Sequence, residues 1–214
     1  MRIAIVALWL MSAQSQAELL DRLAVTVDER LITLSDVLAE IRIAAFLDGS
    51  VAELAPQKKR EAAERLIEFH LLQRDMELTR FPAPSPAETQ EFFEQVRKSR
   101  APDETVWRAE LARYRITEAA LREHLARRLA VLRYVEFRFR PEVQLSEGDI
   151  QHYLRDRVMP LLRPAAGDTA LPTEEARRAA EAALTAERVN QLVDRWLEDA
   201  RRRSKIRYRE AAFQ

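Results

Sequence analysis

Leu23, Val25 and Val27 alternate with Ala24 and Thr26 in the most informative stretch of the chain. That period of two predicts a half-buried β-strand. Asp28-Glu29-Arg30 is a polar break short enough for a hairpin, although it lacks the glycine that tight primed turns favour. Leu31, Ile32 and Thr33 supply the return strand. From Leu34 the apolar period changes to 3.6, through Val37, Leu38, Ile41, Ala45 and Leu47, and predicts a helix. Thr33 is placed to cap it, with Asp36 completing a capping box, and Gly49 sits where it would stop. A two-stranded ribbon is marginal in water. A distant segment must cover it, and the C-terminus is the best candidate.

Near that end, Ala179, Ala182, Ala183, Ala186, Val189, Leu192, Val193, Trp196, Leu197 and Ala200 form one apolar stripe of a long helix. Its alanine half would let another helix approach closely, and Trp196 is expected as a large structural anchor buried among the N-terminal helices. After Arg203 the pattern returns to alternation, with Ile206 and Tyr208 between Lys205, Arg207 and Arg209. This predicts a terminal strand paired with Ala24 to Val27.

Between these ends the helical period dominates. A helix beginning beyond Pro56 carries Ala63, Leu66, Ile67, Leu71 and Leu78 along one face, and Phe81-Pro82-Ala83-Pro84 ends it. Ser85, Pro86 and Glu88 have the spacing of an N-cap, a first-turn proline and a capping box for a helix to about Lys98. That helix carries Phe92, Phe93 and Val96. A short segment around Val106, Trp107, Leu111 and Tyr114 follows Pro102. Thr117 then caps a helix with Leu121, Leu125, Leu129, Leu132, Val135 and Phe139, which Pro141 interrupts. The expected fold class is mainly α, with a small β-ribbon closed by the C-terminal helix and strand.

Composition agrees with helix: glycine is scarce, while Ala, Leu, Arg and Glu abound. The 214 residues allow one or two domains, and Lys+Arg and Asp+Glu balance at 35 each, which gives no reason to expect nucleic acid as a partner. With no cysteine there is no disulfide, thiolate zinc site or thiol chemistry. At the N-terminus, Met1-Arg2 is a short basic region, residues 3–11 are apolar, and Ser15-Gln16-Ala17 offers small residues to a signal peptidase. Residues 1–17 are therefore expected to be a signal peptide, cleaved between Ala17 and Glu18; the alternative is a buried first element. Export would place the mature chain in the periplasm or outside the cell, with no transmembrane segment.

Catalytic signatures are few. His70, His124 and His152 fall on separate predicted helices, outside any HExxH motif, and Asp149-x-x-His152 is an isolated spacing. No GxSxG elbow, phosphate loop or dinucleotide fingerprint occurs. An enzyme is not expected, and neither is a metal or cofactor. Phe46, Phe92, Phe93, Trp107 and Tyr114, with Phe137 and Phe139, are candidates to line a groove for extended apolar polypeptide. Their helical spacing more often marks plain core. Arg201-Arg202-Arg203 and Lys205 either complement a helix C-terminus or meet acidic partners.

Three blocks in order, LAVTVDERLITLSDV, ERLIEFHLLQRDMELTRF and VWRAELARYRITEAALREHLARRLAVLRYVEFRFRPEVQLSEGDIQHYL, resemble the N-terminal chaperone region of SurA-like periplasmic chaperones, relatives of the parvulin prolyl isomerases. Two turns depart from the family: Arg80-Phe81 and Tyr114-Arg115 stand where it often has glycine. In isomerase members a parvulin domain follows the helix that starts near Ser146. Here residues 164–172 hold one glycine, Gly167, and no strand pattern, so the resemblance implies a chain without its isomerase module.

The implied organisation is a chaperone-like helical core over residues 18–163, a linker over 164–172, and a C-terminal helix and strand over 173–214 that complete the core. The function it implies is an ATP-independent holdase for unfolded, or outer-membrane, polypeptides. Alternatives are an assembly subunit for one dedicated envelope partner, and an isomerase-related protein whose activity lies on another subunit. Pro-rich stretches at residues 81–86 and 163–172 would serve as hinges.

Overall fold

β1 (Leu23–Val27) is the middle strand of a three-stranded antiparallel sheet in the computed structural model, which describes residues 21–101, 103–160 and 174–214. The expected signal peptide and the 164–172 linker lie outside the described residues. β2 (Arg30–Thr33) returns along one edge of β1, pairing Val27 with Arg30, Thr26 with Leu31 and Val25 with Ile32. The two-residue turn does without glycine because Asp28 takes the left-handed conformation, φ 52°, which Asp tolerates better than most residues. β3 (Ile206–Tyr208) pairs with the other edge, Val25 against Tyr208 and Val27 against Ile206. The C-terminal strand thus closes the ribbon. Asp28 fastens the closure: its N–H donates to the Lys205 carbonyl at 3.0 Å, and its carboxylate accepts from the Lys205 N–H at 2.8 Å.

Ala24 is buried as well as Val25 and Val27, because the 3-10 turn Glu210–Ala212 packs on β1 and brings Ala212 and Phe213 into the same cluster. Simple alternation therefore underestimates how enclosed this strand is. A polar network holds the closing segment to the helices. Arg201 donates to Glu64 at 2.7 Å and to Glu68 at 3.1 Å, and the Tyr208 hydroxyl donates to Glu64 at 2.5 Å. Burial, with the Glu64 carboxylate beside it, pushes the Tyr208 hydroxyl up to about 12.

The helices begin where the sequence places caps. α1 (Leu34–Asp48) has the Thr33–Asp36 capping box and stops at Gly49, φ 70°. There a side chain would be strained, and a Cβ would also stand 3.0 Å from the Arg100 guanidinium. α2 (Pro56–Leu78) starts on its proline, and α3 (Pro86–Arg100) has the Ser85–Glu88 box. α4 (Glu104–Tyr114) is capped by Asp103 and α5 (Glu118–Phe139) by Thr117. α6 (Glu147–Tyr153) has a Ser146–Asp149 box and runs into a π-helical turn, Leu154–Val158; α7 (Glu174–Arg203) is the long last helix. Among the described residues no helix is long and apolar enough to cross a membrane.

Two clusters share the core. Val37 and Ile41 of α1, the apolar face of α2, Tyr134 and Phe139 of α5 and the C-terminal half of α7 enclose the sheet. The rest of α1, with α3, α4 and the start of α5, builds a second cluster around Phe46 and Trp107. α1 and α5 belong to both. Leu78, expected on the buried face of α2, is 73% exposed, whereas Met76 in the same turn packs on the main cluster. The segment after it, expected as a hinge, is anchored by the Phe81 ring against Tyr134 at 5.2 Å.

α7 departs from the expected stripe. Ala176, Ala180 and Leu184 are buried, whereas Ala179, Ala182, Ala183 and Ala186 are exposed. Ala176 and Ala180 share a small satellite cluster with Leu154, so the contact follows one narrow i, i+4 row. Farther along, Val189, Leu197 and Ala200 enter the main core. Trp196 is half-buried rather than enclosed, its ring 6.2 Å from Phe139 in an edge-on arrangement.

Two turns hold arginine in the left-handed region, Arg80 at φ 52° and Arg115 at φ 54°. A Cβ there is unfavourable, and the Arg115 side chain is exposed with no ion pair among the described residues. Arg115→Gly is expected to stabilise the chain by up to about 1 kcal/mol, the relief of strain exceeding the entropy glycine adds to the unfolded state. Thermal melting measures it, and a lower midpoint than the parent would refute it.

Candidate functional site

The aromatic residues expected to face clients do not line a groove. Phe46, Phe93, Trp107 and Tyr114 are buried, and Phe92 is half-buried. Phe46 meets Trp107 and Tyr114 edge-on, each at 5.6 Å, and Phe93 meets Trp107 at 5.7 Å. The Tyr114 hydroxyl donates to the Ser50 carbonyl at 2.9 Å, and the Trp107 indole N–H donates to Glu118 at 3.0 Å. Such contacts are those of a core, and the four rings are what joins α1, α3 and α4. Phe139 is buried as well, whereas Phe137 is 63% exposed.

The open surface lies where α1, α2 and α5 meet. Each helix places a polar residue beside its apolar face: Glu40 next to Ile41, Arg65 next to Leu66, His124 next to Leu125. Arg65 Nε donates to one Glu40 oxygen at 3.1 Å, and His124 Nδ1 lies 3.4 Å from the other. Burial pushes the Glu40 carboxyl up, but the hydrogen bonds and charges of His124 and Arg65 outweigh it and hold the carboxyl below the ordinary glutamate value. It is therefore ionised at neutral pH. With both oxygens engaged, Glu40 pins three helices together.

Three cavities, of about 710, 350 and 130 Å³, share Glu40 and His124 in their walls and adjoin one another there, together called the groove below. The largest runs between α1 and the start of α2, and its walls are mainly charged. The second lies between α2 and α5 on an apolar floor of Leu66, Phe69, Leu72 and Val131. The smallest opens toward β2 and contains His70, whose Nδ1 is buried without a partner among the described residues. Burial depresses the His70 pKa, so the ring is neutral at pH 7. Large apolar side chains stand exposed along all three sections: Val51 (77%), Leu132 (49%) and Leu31 (62%).

No protein-family model matches this chain, and no curated protein matches it.

A second apolar exposure lies at the far end of α2 and α5. Phe137 packs on Phe81 at 5.1 Å, with the exposed Leu78 in the last turn of α2. Sequence reasoning named Phe137 but could not separate it from its buried neighbours. It missed Glu40 and Arg65, and it treated His124 as an ordinary helix histidine. One signal was present: a polar residue directly before an apolar one on each of three helices, in Glu40-Ile41, Arg65-Leu66 and His124-Leu125.

Proposed function

We propose that this protein is an ATP-independent holdase of the bacterial envelope that binds unfolded polypeptide, outer-membrane proteins among its clients. The observation that carries the reading is the groove between α1, α2 and α5, with Leu31, Val51 and Leu132 exposed on its edges. Isolated surface apolar residues are ordinary, but several along one concave surface mark a binding site. A groove with no nucleotide cycle must release what it holds. Micromolar affinity, roughly −8 kcal/mol, suits that requirement. The SurA-like order of the sequence blocks supports the same reading.

The test is light scattering with an unfolded outer-membrane protein. The parent chain at several-fold molar excess is expected to suppress aggregation without nucleotide. The double substitution Val51→Asp with Leu132→Asp is expected to abolish suppression and leave the melting temperature unchanged, because both side chains are exposed. Failure of the parent chain with several different clients would overturn the proposal.

The second reading, an assembly subunit for one dedicated partner, draws on the compact patch of Leu78, Phe81 and Phe137. Crosslinking in the envelope separates the two: many captured proteins favour the holdase, one favours the dedicated partner.

A further inference from the structure

The groove has a direction written in charge. In the section between α2 and α5 the carboxylates are Glu40 and Glu68, and both are satisfied by the protein itself. Glu40 is held by Arg65, and Glu68 accepts from Arg201 of α7 at 3.1 Å. The cations left facing this section are Arg127 and Arg128. Arg127 is tied to Glu123 at 3.0 Å, and its guanidinium lies 5.7 Å from the centre of the Phe69 ring. Arg128 has no ion pair or hydrogen bond among the described residues. It borders both this section and the larger one beside α1.

Beyond Arg128 the sign reverses. Lys58 is paired with Glu61 at 2.8 Å and also attracted by Glu53, while neither Asp48 nor Glu53 lies within ion-pair distance of a cation among the described residues, so carboxylates are in excess here. Apolar floor, free cation and excess carboxylates thus follow one another along the surface. Charge complementarity selects a ligand with the matching order.

We propose that the groove takes an extended segment of unfolded polypeptide in which an apolar run is followed by a single acidic side chain. The apolar run lies on Leu66, Phe69 and Val131, and the carboxylate lies on Arg128. A basic residue after the acid is favoured by Asp48 and Glu53, and a second acid is repelled by them. This inference rests on the holdase reading and specifies which segments the holdase prefers.

Fluorescence anisotropy with short labelled Leu/Ser peptides tests it, all of them C-terminally amidated except one. The parent chain is expected to bind a peptide ending Leu-Leu-Glu-Lys roughly two- to fivefold more tightly than one ending Leu-Leu-Lys-Glu, a margin suited to one partly exposed ion pair. The preference should shrink in 1 M salt, where the screening length falls to about 3 Å. Arg128→Glu should reverse it, and Arg108→Glu, on the exposed surface of α4, should leave it intact. Melting curves of both variants verify folding.

If neither peptide binds the parent chain, the holdase reading itself fails. If both bind equally and Arg128→Glu changes nothing, the charge-ordered preference alone is overturned. If the non-amidated peptide, ending in a plain Leu carboxylate, is the tightest binder of the set, the site reads chain termini and the proposal of an acidic side chain is overturned.

Discussion

A chain ending at Arg188 is expected to lose cooperative folding altogether, not merely to lose its tail. The missing residues carry β3, so β1 would keep a single partner, and an isolated two-stranded ribbon is marginal in water. They also carry Val189, Leu197, Ala200, Ala212 and Phe213 of the main cluster. Single large-to-small core changes cost about 2–5 kcal/mol each. Losing this set together exceeds the roughly 5–15 kcal/mol by which domains are stable. Arg201 would go too, leaving Glu64 and Glu68 without their cation. Circular dichroism during heating and amide hydrogen exchange in β1 and α2 measure the effect. A cooperative transition close to that of the whole chain would refute the closing role of the C-terminus.

That role was legible in the sequence because two local signals needed one another: a strand pair too small to stand alone, and a distant alternating segment behind an apolar helix. The caps were legible for a similar reason. Thr33 with Asp36, Ser85 with Glu88, and Thr117 act on backbone donors within three residues, so chain spacing determines their geometry. The alanine stripe of α7 misled because amphipathicity reports which residues are apolar, not how wide the partner is. α6 covers one i, i+4 row and leaves the neighbouring alanines in water. The groove was illegible for a different reason. Glu40, Arg65 and His124 come from three helices, and their meeting depends on how α1, α2 and α5 cross.

Trp107→Ala is expected to cost about 3–5 kcal/mol, the range for deleting a large aromatic from a core. The ring is fully buried between Phe46 and Phe93, with the Arg97 guanidinium 5.8 Å from its centre, and it fastens α4 to both α1 and α3. Its loss leaves a cavity that three helices would have to shift to fill. The substitution has an electrostatic signature as well. The indole N–H, followed by Arg122, holds the Glu118 carboxyl below its ordinary value against the effect of burial. A carboxyl depressed in the folded state stabilises the fold above its unfolded pKa, and that contribution is lost as pH falls through the folded value. In Trp107→Ala the Glu118 part of this acid sensitivity should shrink, since the unfolded and folded pKa values move together. Trp107→Phe should fill most of the space yet show the same weakened pH dependence, because phenylalanine has no N–H to donate. Urea unfolding at pH 7 and at pH 4 measures both effects. The aggregation assay supplies the decisive contrast: Trp107→Phe is expected to suppress aggregation as the parent does, whereas Leu132→Asp keeps its stability and loses suppression. If Trp107→Phe proved stable but inactive, the buried aromatic cluster, not the groove, would be where clients are held.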